Sequence, residues 1–269
     1  LPPIFTLPAP WRDLFRKTGR AFDVELARSG HALVPAPPAR HLFADGSDLT
    51  LPTDRGDQWS ALGERYGRPA ATRWRDLLDS LDDQWQVLRR LGLEDEAPDG
   101  ALTTARRLRL RARTSVADLA AGIGEPHLAE VILDTARRIG SRPDRTPGWV
   151  AVRLSVERTF GRWLMQHDGD PVPAGTLIDL LGARLATRKV DVRLGIEVTR
   201  IEAYRVHTGR TSQPAAAIVS GVDPWAFARL AHQDRGLRSR LRWARPATAP
   251  LVTESLRTDD PTTSETVSH

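Results

Sequence analysis

The sequence predicts a mixed α/β fold, and three observations lead to that prediction. Apolar residues recur at spacings of three and four through most of residues 1–160, which is typical of amphipathic helices. Short apolar runs on either side of Asp45-Gly46-Ser47 indicate a β-hairpin. After residue 160, a helical stripe is followed by three apolar runs of strand character, which is an order typical of α/β proteins.

Composition and charge favour a folded protein. The 269 residues are 40% hydrophobic and 27% charged, close to the averages of globular chains. The pI is about 10.5, but the formal net charge is only +5. Only Lys17 and Lys189 are lysines, so the high pI follows mainly from the pKa of arginine. We therefore expect no nucleic-acid partner.

Several classes of site and location are disfavoured by what the sequence lacks. It contains no cysteine, which excludes disulfides and cysteine nucleophiles and fits a reducing compartment. No apolar run reaches the roughly 18 residues of a membrane helix. We therefore expect a cytoplasmic protein, with peripheral binding to a membrane face as an alternative. The seven histidines show neither HxxxH nor HExxH spacing, and no metal site is predicted.

Four helices are predicted in the first 160 residues. The first covers residues 11–17, and a long one covers residues 69–91, where Trp74, Leu78 and Leu81 belong to one apolar stripe. The third covers residues 126–139 and has a proline in its first turn, and the fourth covers residues 149–160.

Strands are predicted in two regions. Residues 31–35 and the hairpin at residues 40–51 are expected to form one small antiparallel element. After the helix that ends at Lys189, alternating runs at residues 190–194 and 196–201 and an apolar run at residues 215–219 predict three further strands. The chain is expected to be helical again from residue 223 to about residue 243.

Two arginine-rich runs, residues 106–113 and 235–245, leave two interpretations open. Each run is typical of a solvated helix face. Each also fits contact with anionic lipid headgroups, which would suit an enzyme that takes an apolar substrate from a membrane.

The order of these elements resembles that of a known family. Its motifs are Phe43-Ala44-Asp45-Gly46-Ser47, the segment from Glu157 to Trp163, and the segment from Ala217 to Pro224. They resemble, in this order, motifs of the phytoene desaturase group of flavin-dependent, amine-oxidase-like proteins. The resemblance implies an FAD-dependent oxidoreductase that transfers a hydride from an apolar, carotenoid-precursor-like small molecule to flavin.

The resemblance also implies a domain organisation. Residues 1–160 would form a helix-rich substrate domain with a β-hairpin, residues 161–222 part of a Rossmann-like FAD-binding domain, and residues 223–269 a return to the substrate domain. The α+β substrate domain would thus be interleaved with the flavin domain.

Three residues are cofactor-binding candidates on the same grounds. Val198 would offer its backbone N–H and C=O to the adenine, although an inward-facing residue of a strand fits the pattern equally well. Ser220 and Gly221 would end a buried strand where α/β folds bind ligands, with a plain tight turn as the alternative. No catalytic residue is nominated, because flavin supplies most of the chemistry.

One departure from the family concerns the cofactor. Its members hold the dinucleotide at a GxGxxG turn, and no GxGxxG occurs in this sequence. We expect a fragment truncated at both ends that binds FAD weakly or not at all and is inactive alone. The competing interpretation is a basic helical module that binds nucleic acid or protein without catalysis.

Overall fold

The computed structural model describes residues 4–90, 113–173, 175–202, 204–209, 211–231, 254–255 and 266–268. These residues belong to two compact units. The first comprises residues 1–178 and 248–269, and the second comprises residues 179–247. Helices and strands both contribute to the structure, so the predicted mixed α/β class is confirmed.

Four of the seven helices described in the first unit were predicted from the sequence. The seven are α1 (Ala9–Thr18), α2 (Phe22–Arg28), α3 (Arg55–Tyr66), α4 (Arg68–Arg89), α5 (Val116–Ile123), α6 (Pro126–Arg137) and α7 (Val152–Phe160), of which α2, α3 and α5 were not predicted. The predicted helices at residues 11–17, 69–91 and 126–139 are confirmed. The one predicted at residues 149–160 consists of a 3-10 turn, Gly148–Ala151, followed by α7.

Helix α4 is the longest helix among the described residues, and its apolar stripe explains its position. Pro69 lies in the first turn, where a missing N–H costs nothing. Trp74, Leu78 and Leu81 are at most 1% exposed and face the core on one side of the helix. The stripe therefore buries α4 against α3 and α7.

Helices α5 and α6 are defined by local signals at their first turns. Ser115 and Asp118 form a reciprocal capping box, in which Ser115 Oγ accepts from the Asp118 N–H and the Asp118 carboxylate accepts from the Ser115 N–H. Gly124 ends α5 in the left-handed conformation, and Pro126 opens α6 two residues later. These signals produce a tight connection between two helices that share the core.

Two small sheets complete the first unit. One contains β1 (Ile4–Phe5), β5 (Trp163–His167) and β2 (His31–Pro35) in that order, with β6 (Asp170–Pro171) also paired to β5. The other contains the hairpin β3 (Ala39–Leu42) and β4 (Asp48–Leu51), with β11 (Thr266–Ser268) beside β3 and β10 (Glu254–Ser255) beside β11. The predicted hairpin is confirmed, with Arg40 opposite Thr50.

The expectation that residues 31–35 belong to the same element as the hairpin is wrong. They form β2, which pairs with β5 so that Leu33 lies opposite Met165. Pro37 and Pro38 interrupt the chain between β2 and β3, and proline removes the N–H that a continuous ladder requires. The interruption frees β2 to pair with a strand more than 100 residues away in sequence.

The core of the first unit lies between α3, α4, α5, α6 and α7 and the hairpin. Leu62, Trp74, Leu128 and Ile132 are among its fully buried side chains. A cavity of about 40 Å³ remains beside this core, between the hairpin, α6 and α7.

The second unit begins within α8 (Thr176–Thr187) and contains a three-stranded antiparallel sheet and a short helix. The strands are β7 (Arg200–Glu202), β8 (Arg205–Thr208) and β9 (Thr211–Pro214), with β8 in the centre, and the helix is α9 (Pro224–Leu230). The predicted helix up to Lys189 is confirmed to within two residues. The predicted helical segment after residue 223 is described only as far as α9.

Two of the three strands predicted in this unit are wrong. Residues 190–194 and 215–219 are irregular, and of residues 196–201 only Arg200 and Ile201 belong to a strand. An alternating pattern creates a strand only when a neighbouring strand pairs with its backbone groups. Among the described backbone hydrogen bonds, residues 215–219 take part in one, from the Ala215 N–H to the Tyr204 C=O.

The compact units divide the chain at residue 178, whereas the sequence indicated a change of character at residue 161. Strand β5 pairs with β1 and β2 and lies in the first unit. The assignment of residues 161–222 to an FAD-binding domain, between substrate-domain residues 1–160 and 223–269, stays a prediction.

Candidate functional site

Val198 lies in the second unit, on the irregular segment that leads into β7. Its side chain is half-buried. The next residue is held in place, because the Thr199 N–H donates to the His207 C=O at 2.9 Å. None of the described backbone hydrogen bonds uses the N–H or the C=O of Val198. Both groups therefore remain able to bind a ligand, and the adenine contact stays a prediction.

Ser220 and Gly221 lie on a second irregular segment, between β9 and α9. Both residues are exposed, and the buried strand that was expected to precede them is not formed. A Cβ atom added to Gly221 would meet open space, and its φ is outside the left-handed region that requires glycine. The backbone here does not explain why residue 221 is a glycine, and no described hydrogen bond links this segment to Val198.

The second unit exposes a series of large apolar side chains. Val190, Val192, Leu194 and Ile196 alternate in sequence and are 47% to 88% exposed, and Val219 is 96% exposed. Alternation of this kind is the pattern by which a strand buries one face in a sheet. These segments thus have the sequence of buried strands and the environment of surface loops.

The first unit contains a polar cluster around His127, which lies in the first turn of α6. His127 Nε2 is 2.9 Å from Asp45 Oδ2 and 3.2 Å from Ser47 Oγ. The hydroxyl of Tyr66 is 3.0 Å from His127 Nδ1, and the ring of Phe43 stacks on the imidazole with centroids 4.2 Å apart. One imidazole thus connects the hairpin turn, the end of α3 and the start of α6.

A serine, a histidine and an aspartate meet in this cluster, but not in the arrangement of a nucleophilic triad. In a triad the carboxylate and the hydroxyl bind opposite ring nitrogens, so that the imidazole receives the hydroxyl proton. Here both Asp45 and Ser47 lie at Nε2, and Ser47 Oγ donates to Asp45 Oδ1 at 2.6 Å. The serine proton therefore goes to the carboxylate, and the geometry supports a structural network instead of acyl transfer.

The electrostatics of Asp45 follow from the same contacts. The hydroxyl and the backbone N–H of Ser47, together with His127, lower the pKa of the Asp45 carboxyl to about 2. Burial raises the pKa of the Tyr66 hydroxyl, which keeps it a neutral hydrogen-bond donor. The sequence signals only the Asp-Gly-Ser turn, because His127 lies 82 residues further along the chain.

Three further expectations from the sequence concern metal binding, membrane-spanning helices and the arginine-rich runs. Within the described residues, no group of three or more histidine, aspartate or glutamate side chains is placed to hold a metal ion. The same residues include no helix that is both long and apolar enough to cross a membrane. Apart from Arg113, the arginine-rich runs at residues 106–113 and 235–245 lie outside the described residues.

Comparison with known proteins gives one informative similarity. No family model matches the sequence. Over 206 residues, covering 72% of this chain, the sequence is 27% identical to the hydroxyneurosporene desaturase of Rhodobacter capsulatus. The matched region spans 41% of that desaturase, so this chain covers less than half the length of its relative. The similarity supports a carotenoid-desaturase-like family and, at a coarse level, an oxidoreductase.

Proposed function

We propose that this chain is part of an FAD-dependent oxidoreductase of the phytoene desaturase type. The observation that carries the proposal is the similarity to hydroxyneurosporene desaturase along 72% of the chain. The order of the hairpin motif, the segment from Glu157 to Trp163 and the segment from Ala217 to Pro224 supports the same assignment.

Two features of the second unit support the FAD part of this proposal. Val198 would hold the adenine through its N–H and C=O, since neither group is used by the described backbone hydrogen bonds. The exposed apolar residues at 190–196 and at 219 are those that the sheet of a dinucleotide-binding domain would bury. The phosphates would need a glycine-rich turn, and these 269 residues contain no GxGxxG.

The proposed reaction is the desaturation of an apolar, carotenoid-precursor-like molecule. When bound, flavin supplies the hydride acceptor for such a reaction. The task of the protein is to orient the substrate and exclude water, which requires apolar side chains more than acids or bases. An apolar substrate also favours an enzyme that works at a membrane face, where such molecules dissolve.

The cofactor assignment is tested by a pair of substitutions at Val198 in the protein expressed from its full reading frame. Val198→Pro removes the N–H, so we expect FAD affinity to fall by about tenfold, the effect of losing one hydrogen bond of typical strength. Val198→Ala keeps the N–H and should bind FAD as wild type does. Because Val198 precedes β7, proline here breaks no described ladder bond.

The measurement is flavin fluorescence during titration, with circular dichroism to confirm that both variants are folded. Equal FAD affinity in both variants and the wild type would remove Val198 from the site. Desaturase activity is tested separately, by adding a carotenoid precursor in lipid vesicles to the FAD-loaded protein without oxygen. Loss of the visible flavin absorbance is expected, and retention of that absorbance with a panel of polyenes would contradict the proposed reaction.

A further inference from the structure

The cavity of about 40 Å³ in the first unit has a strongly cationic lining. Among its lining residues are four arginines, and only two carboxylates face the same space. The arginines are Arg138, Arg153, Arg158 and Arg162, and the carboxylates are Asp134 and Glu157. Cations removed from water need compensation by an anion or by hydrogen-bond acceptors, so the partners of the individual donor atoms decide whether the cavity has room for an anion.

Both carboxylates of the lining already have arginine partners. Asp134 forms an ion pair with Arg138, one turn further along the chain. Glu157 accepts from Arg153 Nε at 2.8 Å, also over one helical turn. Each carboxylate of the lining is therefore paired, through one of its oxygens, with an arginine one helical turn away.

Arg158 is bound by a carboxylate that lies outside the cavity. Its Nη2 donates to Asp79 Oδ1 at 2.8 Å, and Asp79 also pairs with the exposed Arg55. The side chain of Arg158 is only 8% exposed and lines both the cavity and the outer cleft that contains Asp79. Its Nη1 atom is buried and has no hydrogen-bond partner. The Nη2 contact fixes the position of the guanidinium group, and Nη1 remains as a buried cationic donor at the cavity.

The neutral polar groups of the lining do not satisfy this donor. Gln58 is engaged twice, because its Nε2 donates to the Pro52 C=O and its Oε1 accepts from Trp74 Nε1. Thr135 donates its hydroxyl proton to the Ile132 C=O within α6. His41, which is only 5% exposed, contributes an imidazole to the wall.

We propose that this cavity binds a single oxyanion of the phosphate or carboxylate class, with Arg158 Nη1 as the anchoring donor. A guanidinium group donates to such anions in a fixed, charge-assisted geometry. The volume is about three times what one ordered water needs, which admits an anionic group but not a nucleotide or a polyene. Arg153, whose side chain is 40% exposed, marks where the cavity approaches solvent. The site does not depend on the proposed oxidoreductase activity.

The experiment is calorimetric titration of the full chain with inorganic phosphate, in sodium chloride buffers of matched ionic strength. Arg158→Gln removes the buried cation, and we expect it to weaken phosphate binding by about tenfold or more. Arg55→Gln is the matched control, since Arg55 pairs with the same Asp79 but does not line the cavity. We expect its phosphate affinity to stay within about twofold of wild type, as is typical of exposed ion pairs.

Two further measurements complete the test. Titration with glycerol 3-phosphate and with acetate distinguishes a site for free anions from one that also accepts the anionic end of a larger molecule, and binding of any of these supports the proposal. The wild-type titration is decisive even if Arg158→Gln does not fold. Absence of binding heat at tens of millimolar phosphate would overturn the proposal, as would unchanged affinity in a folded Arg158→Gln variant.

Discussion

His127 connects three segments of the first unit through one imidazole ring. Arg65 Nε donates to the Tyr66 hydroxyl at 3.1 Å, which leaves the tyrosine proton for His127 Nδ1 at 3.0 Å. This arrangement favours the tautomer in which His127 Nε2 carries the hydrogen and donates to Asp45. Asp45 then accepts hydrogen bonds from both Ser47 and His127, and its negative charge strengthens the contact between the hairpin turn and α6.

The stability of the first unit is expected to depend on Asp45 in a defined pH range. The pKa of Asp45 is about 2 in the folded protein and near 3.9 in an unfolded chain. A lowered pKa means that the ionised carboxyl stabilises the fold above about pH 4, and that this contribution is lost as the pH falls from about 4 to about 2. We expect Asp45→Asn to lower the urea midpoint at pH 6, with the difference from wild type narrowing below pH 4.

Ser47→Ala is the control for this prediction. It keeps the carboxylate and His127 but removes the hydroxyl that contributes most to the low pKa of Asp45. Its urea midpoint should fall between those of wild type and Asp45→Asn at pH 6. A midpoint difference between Asp45→Asn and wild type that does not vary between pH 6 and pH 3 would contradict the assignment.

Among the secondary-structure elements, the corner between α3 and α4 depends on one glycine. Gly67 ends α3 by donating its N–H to the Gly63 C=O, and its own C=O accepts from the N–H groups of Ala70 and Ala71 in α4. Its φ of 85° and ψ of 156° form a conformation that is open almost only to glycine. The corner brings the two helices into contact, and this packing buries Leu62 and Trp74.

We expect Gly67→Ala to reduce the free energy of unfolding by about 1–3 kcal/mol, because alanine is strained at this φ and ψ. Gly122→Ala is a matched control in a different helix. Gly122 is exposed in α5, has no left-handed φ, and a Cβ there meets no atom within 4 Å. It should stabilise the protein by about 0.4–1 kcal/mol. Urea denaturation followed by circular dichroism measures the free energy of unfolding of both variants. A Gly67→Ala variant as stable as wild type would show that alanine is not strained at this position.

For the whole molecule, the two units differ in how completely they bury their apolar residues. The first unit contains a core of fully buried side chains such as Leu81, Leu128 and Ile132. The second exposes Leu194 and Val219 almost completely, at 88% and 96%. Few buried contacts and few backbone hydrogen bonds predict low local stability. The two units should therefore open with very different free energies.

Hydrogen exchange measured by mass spectrometry tests this difference. In the isolated chain, amides of residues 190–198 and 216–222 should exchange faster than those of α4 and α6 by roughly three orders of magnitude or more. Strand β8 is the control within the second unit, because it is hydrogen-bonded to strands on both sides. Its amides should exchange more slowly than residues 190–198. Equal protection of β8 and residues 190–198 would contradict the irregular structure of that segment.

The sequence was sufficient wherever a pattern is satisfied by neighbours along the chain. Trp74, Leu78 and Leu81 have the period of a helix and form one face of α4, and Asp45-Gly46-Ser47 closes the hairpin as predicted. At residues 190–194 and 215–219 the strand pattern is equally clear, yet no strand forms. A helix satisfies its hydrogen bonds within itself, whereas a strand depends on a partner that its own sequence does not specify.

The candidate sites show the same difference between features that depend on neighbouring residues and features that depend on distant ones. Val198, Ser220 and Gly221 came from a resemblance, and only the half-buried Val198 has backbone groups that are unused and partly enclosed. The His127 cluster and the cavity beside Arg158 were not visible in any spacing, because Asp45 and His127, or Asp79 and Arg158, are about 80 residues apart.

The sequence by itself determined four helices of the first unit, α1, α4, α6 and α7, and the hairpin, because each of these depends on residues within a few positions of one another. The tertiary structure alone decided that β2 pairs with β5, that one imidazole connects three segments, and that a buried arginine donor faces a small cavity. These features depend on which distant segments meet when apolar surface is buried, and local periodicity carries no information about that choice.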